Sequence, residues 1–374
     1  MGPASARGAA AVVGVGTTPQ GLFPGTSAED HAVEAVRRAL ADAGIHKSQV
    51  DGLITCKTFS NSNVDMVVGQ RLGINPRYSA SLDYGTCNFS MHLATMVLLA
   101  GLAETIVVVY GTDQGTRNTG ALSKSVSPIG MDDQLAAWCA LMFERHRQRY
   151  GLTEEQLGHV SVSQRRWAQL NPLAIRREPL TIEQYLQAPY RINPIRAYDI
   201  CPMDDGGAAV VLTTADRAAD LAVKPVYILG MAQGASLRLD QNADNLDREW
   251  NRAVADRVFA AAGIDRSDID LVSIQDPASM WTVQMLGQYG FVPPEDVGAF
   301  FAEGHTGPGG SLPVNTSGGH LSESYMWGWL HIAEIIRQLR GNCGDRQVLG
   351  AATAIHCSTR SDVKGAATIY GTLR

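Results

Sequence analysis

Two residues near the start of a strongly apolar helix are candidates for a chemical role. The segment Ser79–Gly111 is typical of a tight turn, a helix and a buried strand, and it carries Tyr84 and Cys87 at the turn. Such turns often hold a nucleophile at a helix N-terminus, where the helix dipole lowers a thiol pKa. A tyrosine hydroxyl, with a pKa of about 10, is better suited to moving a proton. The segment therefore offers a thiolate, a proton-transfer tyrosine or, at Cys87, a small core residue.

A histidine and a second thiol near the C-terminus are further candidates for a chemical role. His356 is followed by Cys357, and because imidazole titrates near neutral pH, His356 is the most conventional acid–base candidate. A buried structural histidine is the competing interpretation. Cys357 offers a second thiol for proton transfer. His92, in the middle of the first apolar helix, fits polar packing in the core.

The composition is that of an ordinary globular enzyme. The 374 residues are 45% hydrophobic and 18% charged, with a net charge of −6 and no basic block. Nucleic acid and anionic membranes are therefore not expected partners, and no uncharged apolar stretch reaches the roughly 18 residues of a membrane span. The six cysteines form no Cys-x-x-Cys pair. We expect no structural metal, no disulfide scaffold and a cytoplasmic location.

Two parts of the chain repeat one another. Ala32–Cys56 and Ala253–Asp276 each indicate an Ala-rich amphipathic helix that stops at glycine, a short polar turn and a β-branched strand. Thr95–Gly111 and Gly328–Ala354 repeat the order of apolar helix, glycine break and strand. If the halves pack about a pseudo-two-fold axis, these two apolar helices are central and their N-termini converge. Such a place is suited to binding an anion or an oxyanion.

The stretch between the halves differs in character. Residues 112–224 contain polar helical pieces and loops rich in Pro and Arg, such as RRWAQLNPLAIRREPLTIEQYLQAPYRINP, before CPMDDGGAAVVLTT returns to a buried strand. A long irregular excursion in a compact fold is usually functional. Trp167 lies in it, and with other tryptophans it either indicates a substrate with a bulky or ring-bearing group or packs in the core.

Three motifs, VNTSGGHLSE, CPMDDGGAAVVL and RRWAQLNP, resemble the thiolase superfamily, in particular sterol-carrier-protein-type thiolases and their bacterial lipid-transfer-protein relatives. The resemblance extends over nearly the whole chain. It implies an α/β fold of duplicated, five-layered α-β-α-β-α architecture, with an N-terminal half at 1–222, an inserted loop domain at about 113–200 and a C-terminal half at 223–374. It also implies a homodimer that acts on coenzyme A thioesters, with no bound cofactor, accompanied by a small OB-fold partner that sometimes carries a zinc ribbon.

The resemblance places other residue types at the positions of the family's catalytic groups. Tyr84 takes the position of the nucleophilic Cys, and Cys87 falls one turn inside the helix. Tyr325 takes the position of the His in the family's Gly-His-Pro motif. His356 and Cys357 correspond to the distal Cys or His of the family.

The remaining candidates lie at the end of a strand and in a glycine-rich loop. Gln275 could orient water or an oxyanion, as the family's Asn does, and Asp276 could fix the loop by accepting backbone N–H bonds. Gly318 and Gly319 permit a close approach of the backbone to a thioester. His320 could line the pocket or face solvent.

These departures favour retro-aldol chemistry. Bacterial relatives that lack the Cys and carry Tyr in the second position act as retro-aldolases on β-hydroxyacyl-CoA steroid side chains, although their second Tyr lies where Gln275 stands. We predict an aldolase in which Tyr325 and His356 move protons, while backbone amides and Gln275 stabilise an enolate. The alternatives are a Claisen-type thiolase or acyltransferase that uses Cys87 or Cys357, and a catalytically silent subunit that binds acyl-CoA.

Overall fold

The computed structural model describes residues 6–56, 64–83, 87–117, 134–236, 250–360 and 364–373. None of the described helices is long and apolar enough to cross a lipid bilayer. The strands, in chain order, are β1 (Ala10–Thr17), β2 (Gly52–Cys56), β3 (Tyr78–Leu82), β4 (Thr105–Thr112), β5 (Tyr190–Ile192), β6 (Ile195–Arg196), β7 (Gly206–Thr214), β8 (Val226–Ala235), β9 (Leu271–Ile274), β10 (Thr353–Arg360) and β11 (Lys364–Gly371).

Nine of these strands form one mixed sheet in the order β3-β2-β4-β7-β1-β8-β11-β10-β9. Its two halves meet where β1 pairs with β8, and each half repeats the same pattern of directions. β2 is parallel to β4, which is antiparallel to β7. Likewise β9 is parallel to β10, which is antiparallel to β11. The predicted boundary at residue 222 falls between β7 and β8.

The helices complete the repeat that the sequence predicts. They are α1 (Ala28–Ala43), α2 (Val64–Leu72), α3 (Cys87–Leu99), α4 (Gln114–Arg117), α5 (Gln134–Tyr150), α6 (Glu154–Gln169), α7 (Ile182–Gln187), α8 (Ala215–Ala219), α9 (Trp250–Ala262), α10 (Ser279–Gln288), α11 (Val297–Ala302), α12 (Gly319–Ser322) and α13 (Trp329–Arg340). α1 and α9 are followed by Gly44 and Gly263, which have φ of 65° and 63°. This left-handed geometry is accessible to glycine at little cost, so both helices end where the repeat predicts.

The two apolar helices lie in the centre. α3 packs against β4 and β7 of the first half and against β10 and β11 of the second, while α13 packs against β1, β7, β8 and β10. α1 covers the outer face of the first half, and α9 covers the outer face of the second. The layers are therefore helix, sheet, helix, sheet, helix. The predicted α/β five-layered architecture is confirmed.

The inserted segment packs mainly on the second half. It contains α5, α6, α7 and the β5–β6 hairpin, and α6 begins at a capping box formed by Thr153 and Gln156. α6 contacts α10, α11 and α12. Because α12 leads directly into the turn before α13, the insertion supports one side of the region where the central helices begin.

Candidate active site

The N-termini of the two central helices meet, as the repeat predicts. Gly328 precedes α13 with φ of 87°, and Trp327 has φ of 51°. A Cβ on Gly328 would lie 2.5 Å from Sγ of Cys87 and 3.0 Å from Nε2 of His356. Position 328 therefore requires glycine for two reasons: its backbone angle is positive, and there is no room for a side chain. The backbone of the second half, at Gly328, is thus in close contact with Cys87 of α3.

Asp276 anchors this turn from the end of β9. Its Oδ1 accepts a hydrogen bond from the backbone N–H of His320 at 2.9 Å and contacts Nε2 of His331 at 3.0 Å. Its Oδ2 accepts a longer bond from the backbone N–H of Leu321, at 3.4 Å. The carboxylate thus holds α12 by backbone N–H bonds, which is the structural role that the sequence offered for Asp276.

Three imidazole rings, which we call the histidine stack, lie next to this carboxylate, with 47° between the planes of His320 and His331 and 26° between those of His331 and His356. The centroids of His320 and His331 are 4.7 Å apart, and those of His331 and His356 are 5.4 Å apart. The ring of Tyr325 meets His320 edge-on at 4.9 Å. Tyr325 is 8% exposed, whereas Asp276, His320, His331 and His356 are at most 2% exposed. Tyr325 is therefore the member of this group that lies nearest to solvent.

Cys87 closes the other end of the stack. Its Sγ lies 3.3 Å from Nε2 of His356. Burial raises the pKa of Cys87 to about 12. Burial and then the neighbouring His331 hold the pKa of His356 well below its usual range. Both groups are consequently neutral, and the pair is not the thiolate–imidazolium pair of a cysteine nucleophile.

The group formed by Asp276, His320 and His331 has the residue types of a metal site, with candidate ligand atoms within 4.8 Å of one another. The hydrogen bonds argue against that use. Nε2 of His320 accepts the backbone N–H of Gly328 at 2.9 Å, so the lone pair of Nε2 is engaged and a neutral ring carries its proton on Nδ1. A protonated nitrogen cannot bind a metal ion. The other two members are engaged with each other, because Oδ1 of Asp276 contacts Nε2 of His331 at 3.0 Å.

Two predicted residues are placed away from the histidine stack. Cys357 follows His356 in β10, and successive residues of a strand point to opposite faces. The Cys357 thiol contacts Tyr289, and burial raises the pKa of the thiol well above its usual range. Gln275 is buried, and its Oε1 accepts the backbone N–H of Thr359 at 3.3 Å. The structure does not bring Cys357 together with Cys87.

The other predicted binding residues pack the loop. A Cβ on Gly318 would lie 2.7 Å from Cβ of Ala168, and one on Gly319 would lie 2.6 Å from Oδ2 of Asp276. The indole N–H of Trp167 donates to the carbonyl of Thr306 at 2.9 Å. Packing within the chain therefore accounts for the residue types at these positions. Their proposed roles in binding a thioester stay predictions.

Three of the residues named from the sequence belong to the first half. Tyr84 lies outside the described residues. The sequence placed Cys87 one turn inside the central helix; the description of this helix starts at Cys87 because residues 84–86 lie outside the described residues, so that placement stays a prediction. His92 packs in the core as predicted, with Nε2 at 2.9 Å from Oγ1 of Thr368.

Sequence reasoning missed His331. It lies one turn into α13, in the run WLHIAEII, where its neighbours are buried. A histidine inside an apolar helical stretch was the available signal. That signal was weak, because a single buried histidine is more often a packing residue, and its carboxylate partner is 55 positions away.

A fold of this kind, with a polar site where two central helices begin, is that of the thiolases. The family model described as thiolase C-terminal domain-like matches residues 233–369. The chain is 32% identical over 359 residues to a steroid side-chain-cleaving aldolase of Thermomonospora curvata, covering 89% of this chain and 91% of that protein. It is also 32% identical over 358 residues to a 17-hydroxy-3-oxo-4-pregnene-20-carboxyl-CoA lyase of Mycobacterium tuberculosis, covering 89% and 92%.

The solved structure of the Ltp2-ChsH2(DUF35) aldolase superposes with a TM-score of 0.89 at 30% identity, and the match covers 98% of both chains. The chain belongs to the thiolase superfamily, in the branch of these thiolase-like aldolases. The predicted family is confirmed, and relatives named as aldolase and lyase confirm the predicted enzyme class, a C–C lyase of the superfamily.

Proposed function

We propose that this protein cleaves a carbon–carbon bond in a β-hydroxyacyl-CoA thioester by a retro-aldol reaction. The relatives named as an aldolase and a CoA lyase support this reaction over nine-tenths of the chain. The observation that carries it is the state of Cys87. A thiol with a pKa of about 12, beside a neutral imidazole, does not supply the thiolate that an acyl-enzyme mechanism needs.

The remaining chemistry is proton transfer and charge stabilisation. The β-hydroxyl gives up its proton, its oxygen forms a carbonyl, and the pair of electrons from the broken C–C bond moves onto the thioester as an enolate. The enolate then takes a proton at carbon. Tyr325, at the exposed end of the histidine stack, is the residue that we assign to the hydroxyl proton.

The substrate and partners follow from the relatives. Both similar proteins named above act on steroid side chains or a pregnene carboxyl-CoA, as their names state. They support a ring-bearing acyl group on coenzyme A, with coenzyme A as part of the substrate and not as a bound cofactor. The DUF35 component in the name of the matched structure supports a separate partner protein. We propose that the small OB-fold partner and the homodimer implied by the sequence, and a cytoplasmic location, hold for this chain.

A second candidate function is acyl transfer of the thiolase type. The contact of 3.3 Å between Cys87 and His356 favours it, because a shift of the Cys87 pKa on substrate binding would create a nucleophile with an adjacent base. A catalytically silent acyl-CoA-binding subunit is the third. The same experiment separates all three.

The test is the intact mass of the protein after incubation with a panel of acyl-CoA thioesters, including acetyl-CoA, together with product analysis on a ring-bearing β-hydroxyacyl-CoA. We expect no covalent adduct, and a ketone or aldehyde released with a shortened acyl-CoA. An acyl adduct on Cys87 would replace the aldolase by the acyltransferase. Tight coenzyme A binding with neither adduct nor cleavage would leave the silent subunit.

A further inference from the structure

His320 holds a buried hydrogen-bond donor that is unused. Its ring is 0% exposed, and Nδ1 has no hydrogen-bond partner among the residues that the structure describes. The nearest carboxylate oxygen, Oδ1 of Asp276, is 3.9 Å away, beyond hydrogen-bond distance. That oxygen already accepts the backbone N–H of His320 and contacts Nε2 of His331. Buried polar atoms are rarely left unpaired, and the exceptions call for a functional explanation.

The neighbouring backbone fixes which nitrogen carries the proton. The N–H of Gly328 donates to Nε2 of His320 at 2.9 Å. Burial, together with the neighbouring His331 and His356, holds the pKa of His320 well below its usual range, so the ring has one proton. That proton lies on Nδ1. Gly328 can sit close enough to make this bond because it has no side chain to meet Cys87 and His356.

A second unpaired polar group, Gln164 of α6, faces the same loop. Both amide atoms of Gln164 lack partners in the described part of the chain, and the side chain is 1% exposed. Its Oε1 lies 3.0 Å from a Cβ built on Gly319, the residue before His320. Two buried, unpaired polar side chains beside one loop point to a ligand that completes them.

We propose that the Nδ1–H of His320 donates a hydrogen bond to the thioester carbonyl oxygen of the substrate and stabilises the negative charge that develops there. This inference rests on the proposed function, in which breaking the C–C bond moves an electron pair onto that oxygen. A fixed, neutral donor in a water-excluded site is well suited to the task, because it needs no reorganisation as the charge forms. Tyr325 contacts the same ring edge-on, so the proton-transfer group and the oxyanion donor lie side by side.

Two substitutions by amide side chains distinguish the role of Nε2 from the role of Nδ1 in His320. In His320→Gln, the side-chain oxygen can reach the position of Nε2 and keep the bond from Gly328, but the donor at Nδ1 is lost. In His320→Asn, the amide nitrogen lies near the position of Nδ1 and keeps a donor, but the bond to Gly328 is lost. A purely structural role predicts the larger defect in His320→Asn. The oxyanion role predicts it in His320→Gln.

The measurements are kcat, thermal stability and the infrared band of the ¹³C-labelled carbonyl of bound acetyl-CoA. We expect the wild-type protein to shift this band to lower frequency than in water. We expect His320→Gln to abolish the shift and to lower kcat by about 10²–10³-fold, as loss of one oxyanion donor does. His320→Asn should keep part of the shift and lose less than about 10-fold in kcat while melting at a lower temperature.

An unshifted carbonyl band in the wild-type protein would overturn the inference without any variant. A normal band shift and kcat in folded His320→Gln would also overturn it. Because the band is read on a thioester that has no β-hydroxyl, a shift in wild type that disappears in His320→Gln supports the inference even if retro-aldol cleavage is never detected. Failure of the proposed reaction and failure of this inference are thus distinguishable.

Discussion

The two halves of the molecule repeat the order of their elements but differ in what stands where each central helix begins. In the first half, α3 begins at Cys87, a buried thiol held neutral by its surroundings. In the second half, α12 carries His320, the turn before α13 carries Tyr325, and His331 follows one turn into α13. The apolar periodicity that builds helix and strand has been kept in both halves. The polar residues at the helix starts do not contribute to that periodicity, so they have been free to diverge.

The largest effect should come from removing one oxygen atom in the second half. We expect Tyr325→Phe to lower kcat/KM on a β-hydroxyacyl-CoA by about 10²–10⁴-fold, because a positioned proton-transfer group contributes that much. Cys87→Ser, the corresponding change in the first half, should cost less than about 10-fold, since no acyl-enzyme forms. The measurement is steady-state kinetics, with circular dichroism to verify folding. The reverse order of effects would assign the chemistry to the first half.

The next effect concerns the point where the halves touch. Gly328→Ala should lower the free energy of unfolding by about 3 kcal/mol or more, because the new methyl group meets Cys87 and His356 and the backbone angle is unfavourable. Gly341→Ala, at the other end of the same helix, has a similar φ of 81° but no atom within 4 Å of the new Cβ. It should cost only about 1 kcal/mol. Urea denaturation measures both.

The double variant Cys87→Ala, Gly328→Ala sharpens this comparison. Removing the sulfur removes the nearest clashing atom, so the double variant should recover part of the stability lost in Gly328→Ala. Strictly additive losses would show that the contact with Cys87 contributes nothing, and that the backbone strain and the contact with His356 account for the cost.

A pH-dependent effect is expected from Glu323, in the second half. Burial, and then the neighbouring Glu334 carboxylate, raises the pKa of Glu323 to about 7, from 4.5 in the unfolded chain. The folded state therefore binds the proton of Glu323 more tightly than the unfolded chain does. The stability that this proton contributes is fully present below about pH 4.5 and is lost as the pH rises through about 7. The loss is on the order of 3 kcal/mol. Glu323→Gln, which does not titrate, should flatten the dependence.

The measurement is the urea midpoint of both proteins at pH 5, 6, 7 and 8. Glu34→Gln, which also replaces one carboxylate by an amide but on the partly exposed α1 of the first half, is the matched control. Parallel curves for Glu323→Gln and wild type would mean that Glu323 titrates alike in the folded and unfolded chain.

The smallest effect tests the repeat itself. Asp51 accepts the backbone N–H of Thr105 at 2.8 Å at the start of β4, and Asp270 accepts that of Thr353 at 2.9 Å at the start of β10. These carboxylates occupy equivalent places in the two halves. Asp51→Ala and Asp270→Ala should each lower the free energy of unfolding by about 1–2 kcal/mol. If the two losses in free energy of unfolding differ by more than about twofold, the equivalent carboxylates contribute unequally to stability despite the common architecture of the halves.

The repeat was readable in the sequence because its signals are local. Ala32–Cys56 and Ala253–Asp276 each contain a helical period, a glycine stop and a strand within 25 residues, and both became the elements predicted. The convergence of the central helices also followed, because a duplicated helix–strand unit has few ways to pack. The position of Cys87 relative to the start of the first central helix stays a prediction, because residues 84–86 lie outside the described residues.

The site was only partly readable. Asp276, His320, Tyr325, Cys87 and His356 were named as candidates from motif positions, and the structure places them in one group, although their roles stay predictions. Cys357 was named because the family's distal Cys or His corresponds to the pair His356 and Cys357. Successive residues of β10 point to opposite faces, so the Cys357 side chain lies on the other face from that of His356. His331 was missed because nothing local distinguishes it from a packing residue.

By itself the sequence determined the order of helices and strands, their duplication and the family, because these depend on periodicity and motifs within short segments. Only the tertiary structure decided the chemical states at the site. The neutrality of Cys87 and His356 comes from burial by elements far apart in the chain. The proton of His320 lies on Nδ1 because the backbone N–H of Gly328, eight residues away, donates to Nε2. Gly328 is held at this place by a turn that only glycine allows. Such states depend on distances in space, and these exist only once the two halves have packed together.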